Sequence, residues 1–210
     1  MIHNISMDTS WIRLLSVKHG SCSSEHQLLL AQTSPYFVYY IPMTTHIHHE
    51  QKGPEILICA VITISDSRTE KDDHGGNFIA ESLKSAGHDV KEKRIVTDDS
   101  EGLRKLLQEF ADSGEFHIII TTGGTGIASR DNTISVVKPL LNKTMEGFGE
   151  LFRSLSYDEI GSRAMLSRSI AGVLGNSLLF CLPGSLNAVK LGMEKLILPD
   201  LGHLVWELTR

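Results

Sequence analysis

Three short segments gather most of the groups that could do chemistry. Ser65-Asp66-Ser67-Arg68 sets hydroxyls, a carboxylate and a guanidinium within four residues. Thr121-Thr122-Gly123-Gly124-Thr125-Gly126 leads into Ser129-Arg130-Asp131, and Leu182-Pro183-Gly184-Ser185 brings a glycine and a hydroxyl together a third time. Glycine lets backbone N–H groups approach an oxyanion closely, and a helix starting just beyond such a turn favours negative charge. The chemistry this suggests is the holding of a phosphorylated small molecule. Any one of these segments could equally be a tight strand-to-helix reversal, so the weight lies in finding all three.

Other phosphate and nucleophile motifs fit less well. Gly124-Thr125-Gly126-Ile127-Ala128-Ser129 matches only half of the dinucleotide fingerprint, with Ser129 in place of the third glycine, and it follows a late strand. A nicotinamide enzyme is therefore the weaker alternative. No Gly-Lys-Ser or Gly-Lys-Thr triplet completes a Walker loop, and no Gly-x-Ser-x-Gly nucleophile elbow occurs.

The three segments need a frame, and the apolar pattern supplies one. Ile56 to Ile64 is a continuous β-branched run, as expected of a strand covered on both faces. The spacing predicts a helix from Gly75 to Gly87, a strand over 89–96, and a second helix capped by Ser100 with Leu103, Leu106, Leu107 and Phe110 as its stripe. A strand over 116–121 follows, then a helix capped by Asp131 or Asn132 and running through Leu141, and another helix from Gly147 to Tyr157. Residues 170–174 and 177–182 read as a hairpin turning at Gly175-Asn176, followed by a helix to Leu196 and, beyond Pro199, a last amphipathic segment. This alternation predicts an α/β fold: an open, mostly parallel sheet with helices on both faces and an antiparallel edge. Ligands in such folds sit outside the carboxyl ends of the strands, where all three segments fall.

Composition narrows the class. The chain has 210 residues, 41% of them hydrophobic and 21% charged, which is enough apolar material for a sizeable core and not the balance of a disordered protein. A net charge of -5 removes the general attraction to nucleic acid, and no apolar run approaches the length of a membrane span. Cys22, Cys59 and Cys181 form no CxxC pair, which argues against a disulfide framework or a cysteine zinc site and for a cytoplasmic setting. Residues 1–54 lack a sustained period and are expected to form a poorly ordered extension, with Met43 the more natural beginning and 55–210 the domain. Two alternatives attach to the extension: an edge strand at Tyr36, Phe37, Tyr39 and Tyr40, and metal capture by His46, His48 and His49, against which stands a simple solvated tail.

Taken in order, Thr121 to Gly126 with Arg130-Asp131, Gly147-Phe148-Gly149-Glu150, Leu166-Ser167-Arg168 and Leu182 to Ser185 resemble the molybdopterin-binding family, which includes the MoaB and Mog proteins and the G domain of gephyrin. The likeness runs from about Glu55 to Arg210, and the segment Ile64 to Arg68 looks most like the MoaB branch. The resemblance implies homotrimers or homohexamers, and a reaction in which the terminal phosphate of molybdopterin attacks the α-phosphate of ATP. It implies catalytic, Mg²⁺-holding roles for Asp98 and Asp131, since hard carboxylate oxygens suit that ion. It implies substrate contacts from Ser65, Asp66, Gly123, Gly124, Thr125, Gly126, Arg130, Ser167, Gly184 and Ser185. By composition alone, Asp98 would be a turn residue beside Asp99 and Ser100.

Two positions depart from the family pattern: Leu186 stands where proline often follows Pro-Gly-Ser, and Glu146 stands where Mog-like members have proline. The second departure is shared with MoaB-like members and sets them apart from Mog. A protein that binds molybdopterin without turning it over is the competing function. The retention of both carboxylates favours an enzyme.

Overall fold

A computed structural model describes residues 54–210. The expectations for the extension, its aromatic stretch and its histidines lie outside the described residues.

The β-branched run forms β1 (Ile58–Ile64), whose alternate residues enter different cores. The chain then makes α1 (His74–Ser85) and returns as β2 (Asp89–Val96), whose charged residues suit an edge strand. α1 is capped by Asp73, a fully buried carboxylate that accepts from Gly76 N–H and Thr63 Oγ1 and pairs with Lys93 of β2 at 3.0 Å. α2 (Ser100–Ser113) is capped by Asp99 and not by Ser100. The Asp99 carboxylate reaches two orphan amides, Glu101 N–H at 3.3 Å and Gly102 N–H at 2.8 Å, so Ser100 becomes the first helical residue.

β3 (Ile118–Thr122) ends in the glycine turn, and α3 (Thr133–Val137) follows it. Neither Asp131 nor Asn132 caps α3 with its side chain, because the Asp131 carboxylate is used on Ala128 N–H at 2.8 Å. Nor does the helix run to Leu141. It tightens into a 3₁₀ turn over 138–140, where Pro139 cannot supply the next donor. A two-residue strand, β4 (Lys143–Thr144), was not foreseen, being too short to show any alternation. α4 (Glu146–Ile160) leads through a 3₁₀ segment over 161–166 to the expected hairpin of β5 (Ile170–Leu174) and β6 (Ser177–Leu182). α5 (Leu186–Gly192) continues as a π turn and a short 3₁₀ turn into α6 (Leu201–Thr209).

The sheet order is β2-β1-β3-β6-β5-β4, with the first four strands parallel and β5 antiparallel to both its neighbours. One face buries Ile79, Leu83, Phe152, Val189 and Leu201 from α1, α4, α5 and α6 against Cys59, Val61, Ile120 and Phe180. The other buries Leu103, Leu107, Phe110 and Val137 from α2 and α3 against Ala60, Ile62, Ile119 and Cys181. The chain leaves β1 outward to β2 and crosses back to β3, so the switch point lies between β1 and β3. No helix among the described residues is long and apolar enough to cross a membrane.

Candidate active site

At that switch point a cleft of about 600 Å³ opens. Its walls are built by the turns after β1, β2, β3 and β6. The turn after β1 is tied down at Ser65: its N–H donates to Val96 O at 2.9 Å, and its Oγ accepts from Ser67 and Arg68 N–H. Arg68 then reaches across to the turn after β6 and donates Nη2 to Gly184 O at 2.6 Å. Asp66 points the other way, toward the turn after β2, and accepts Asp98 N–H at 3.0 Å.

The turn after β3 takes backbone that only glycine accepts easily. Gly123 has φ +106° and Gly124 φ +61°, and a Cβ would collide with Ile64 O at the first and with Thr133 Oγ1 at the second. Its carbonyls are held from behind: Thr133 Oγ1 donates to Gly123 O at 3.0 Å, Thr133 N–H to Gly124 O at 3.1 Å, and Arg168 Nε to Thr125 O at 3.3 Å. Of its amides only Gly123 N–H is used, donating to Leu182 O at 3.0 Å. Among the described residues the N–H groups of Gly124, Thr125 and Gly126 have no acceptor. A turn with fixed carbonyls and vacant amides is a cradle for anionic oxygen. The third turn contributes Gly184 and Ser185, the latter capping α5 by accepting Ala188 N–H.

Asp98, Asp66 and Asp131 interact electrostatically across this cleft. The Asp98 carboxyl is raised from its ordinary value, first by burial and then by the negative charges of Asp131 and Asp66, with the Asn132 amide and Arg130 opposing. Asp98 Oδ1 is buried and has no hydrogen-bond partner. Asp131 is positioned by three hydrogen bonds: its Oδ2 accepts Ala128 N–H, its own N–H donates to Ala128 O at 2.9 Å, and its carbonyl accepts Arg168 Nη2 at 2.7 Å.

Every residue nominated from sequence lines this one cleft: Asp98, Asp131, Ser65, Asp66, Gly123 to Gly126, Arg130, Ser167, Gly184 and Ser185. Attention to strand ends missed the remaining wall, which Phe152, Ser156 and Ile160 of α4 supply with Leu166. Their spacing of four was the available signal, since it sets them on one helix face. Arg168 was also missed as a support. It holds the glycine turn and the Asp131 loop together without lining the cleft itself. Among the described residues no three His, Cys, Asp or Glu side chains are grouped closely enough to hold a metal ion by themselves.

An open α/β sheet with a cleft at its switch point, lined by glycine turns and carboxylates, is the architecture of proteins that bind small ligands there. The chain belongs to the molybdopterin-binding family: the model described as "Probable molybdopterin binding domain" matches residues 60–203. It is 49% identical over 171 residues to molybdenum cofactor biosynthesis protein B of Staphylococcus carnosus, covering 80% of this chain and 100% of that one. A crystal structure of a molybdenum cofactor biosynthesis protein B is 48% identical with a TM-score of 0.69, covering 76% of this chain and 99% of the other. The tungsten cofactor synthesizing protein MoaB from Pyrococcus furiosus is 38% identical with a TM-score of 0.67, covering 75% and 99%.

Proposed function

We propose that the chain acts in molybdenum cofactor biosynthesis as a molybdopterin adenylyltransferase. The family supports molybdopterin as the ligand. The observation that carries the nucleotide side is the pairing of three vacant glycine-turn amides with a carboxylate group whose Asp98 Oδ1 is buried and unpartnered. The amides suit phosphate oxygens, and the crowded carboxylates suit a cation.

In the proposed reaction a phosphate oxygen of molybdopterin attacks the α-phosphorus of ATP. A new P–O bond forms, the bond between the α-phosphorus and the bridging oxygen breaks, and pyrophosphate leaves. The backbone of Gly123 to Gly126 cradles the nucleotide phosphates and Arg130 offsets their charge, while Ser65, Asp66, Ser167, Gly184 and Ser185 face the pterin and its phosphate. Asp98 and Asp131 are the residues that would hold Mg²⁺, which supplies charge neutralisation on the ATP phosphates. Two carboxylates without a third protein ligand fit that ion, which usually completes its shell with substrate phosphates and water. Because phosphoryl transfer depends mainly on positioning, the tethers from Arg68, Arg168 and Thr133 belong to the mechanism as much as the carboxylates do.

Exposed apolar residues support self-association. Leu151 and Tyr157 on α4 and Met165 beyond it are 57%, 62% and 75% exposed. Phe152 is core and Leu155 packs partly buried against it, so of the α4 residues Leu151, Phe152 and Leu155 only Leu151 belongs to this surface. A homotrimer or homohexamer in the cytoplasm is the expected state, and light scattering at micromolar concentration checks its mass.

Purified protein incubated with molybdopterin, ATP and Mg²⁺ tests the function. Formation of adenylylated pterin with one pyrophosphate per turnover is the expected result. Tight pterin binding without pyrophosphate release would make the chain a non-catalytic carrier.

A further inference from the structure

A second cavity, of about 390 Å³, lies beside the first and shares Ser167 as a common wall. Its charge is very different. Lys138, Arg153 and Arg168 line it against one carboxylate, Glu146. The side chains of Lys138 and Arg153 have no hydrogen bond or ion pair among the described residues, although Arg153 is half-buried. Its guanidinium lies over Gly149 of α4, where a Cβ would come within 3.1 Å of Nη1 and 2.7 Å of Ser169 O, so the missing side chain makes the room it occupies. The hydroxyls of Ser167 and Ser169 sit 3.0 Å apart in the same lining, and the first turn of α4 opens onto it.

Three cations facing a single carboxylate repel one another, and holding them around a concave space costs stability unless a further anion joins them. Two guanidiniums, an ammonium and paired hydroxyls match a phosphate or diphosphate, which arginine binds through two parallel hydrogen bonds. Arg168 gives the direction of the link to the first cleft, because its Nε and Nη2 are bound to Thr125 O and Asp131 O while its side chain lines the second cavity.

We propose that the second cavity is a polyphosphate subsite that takes the pyrophosphate end of the nucleotide whose α-phosphate lies in the first cleft. The assignment to a nucleotide rests on the adenylyltransferase function proposed above. Anion binding by the cavity does not.

Calorimetric titration of the full chain with pyrophosphate, ATP and AMP separates the two. Arg153→Met is expected to weaken pyrophosphate and ATP about tenfold or more and to leave AMP unchanged, as expected for loss of a charge-assisted pair. Lys138→Met, a change at an exposed position across the cavity, should move the same two ligands in the same direction if Arg153→Met compromises the fold. Lys84→Met, a change of equal charge on α1, should move none. Equal weakening by the Lys84 and Arg153 variants, or no pyrophosphate binding by the unaltered chain at millimolar concentration, overturns the site. Weakened pyrophosphate with unchanged ATP keeps an anion site and overturns its use by the nucleotide. Loss of pyrophosphate affinity in a chain that never adenylylates pterin keeps the anion site while the function above fails.

Discussion

The two cavities share a wall and are built in opposite ways. The first is made of backbone: glycine turns at strand ends, held from behind by Thr133, Arg168 and Arg68, with three aspartates among them. The second is made of long side chains from α4, the 3₁₀ turn after α3 and the irregular segment leading into β5, and it is cationic. A backbone site is fixed by the fold and fails when the turn cannot form. A side-chain site keeps its shape through substitutions and fails by losing charge.

The sharpest way to break this contrast is at Asp131. Asp131→Asn keeps an oxygen for Ala128 N–H and removes the charge, so the fold should survive. Adenylyl transfer should fall about a hundredfold, on the order of 3 kcal/mol, while molybdopterin affinity barely changes. Equal loss of both in a turnover assay and a binding assay would make Asp131 structural.

Gly124→Ala comes next. It places a side chain at φ +61° against Thr133 Oγ1 and should cost about 1–3 kcal/mol, read as several degrees in Tm. If the second cavity stands on its own side chains, pyrophosphate affinity should survive this change. Gly149→Ala is the mirror experiment and should weaken pyrophosphate while leaving pterin binding intact.

Asp98→Asn should raise the Tm of the ligand-free protein while activity falls. The folded carboxyl is raised, so its ionised form opposes folding at neutral pH. That opposition is relieved as pH falls through the raised folded value and is gone below the ordinary value of 3.8, so the difference in Tm from the unaltered chain should shrink on acidification. A gap that widened toward low pH would reverse the sign.

The smallest effect tests the sheet common to both cavities. Burial pushes the Cys59 and Cys181 thiols up to about 12, and in a Cys22→Ser chain neither should react with a thiol reagent at pH 8 until the protein is denatured.

Backbone sites were also the legible ones. The continuous run at Ile58 to Ile64, the Gly-Asn turn between β5 and β6 and the glycines after β3 announce themselves, because strands buried on both faces and tight turns restrict residue type. Helix starts were less legible. Asp99 displaced Ser100 as a cap, and Asp131 turned inward, since either choice depends on which amide lies within reach in three dimensions. Arg153 was silent for a related reason, and Arg168, although part of the Leu166-Ser167-Arg168 motif, gave no sign of its role as a tether. An arginine on a helix or ahead of a strand looks like any solvated charge until the fold shows what it lies against.

The turn after β6 is joined to the turn after β3 by Thr122 Oγ1 donating to Pro183 O across 61 residues of sequence, with β6 lying directly beside β3. During synthesis β1, α1, β2, α2 and β3 leave the ribosome well before their last parallel neighbour exists. A chain that lacks β6 therefore lacks both the Leu182 carbonyl that holds Gly123 N–H and the floor that Gly184 and Ser185 provide. Ligand binding should therefore require β6, and a chain released before Pro183 should bind neither molybdopterin nor ATP.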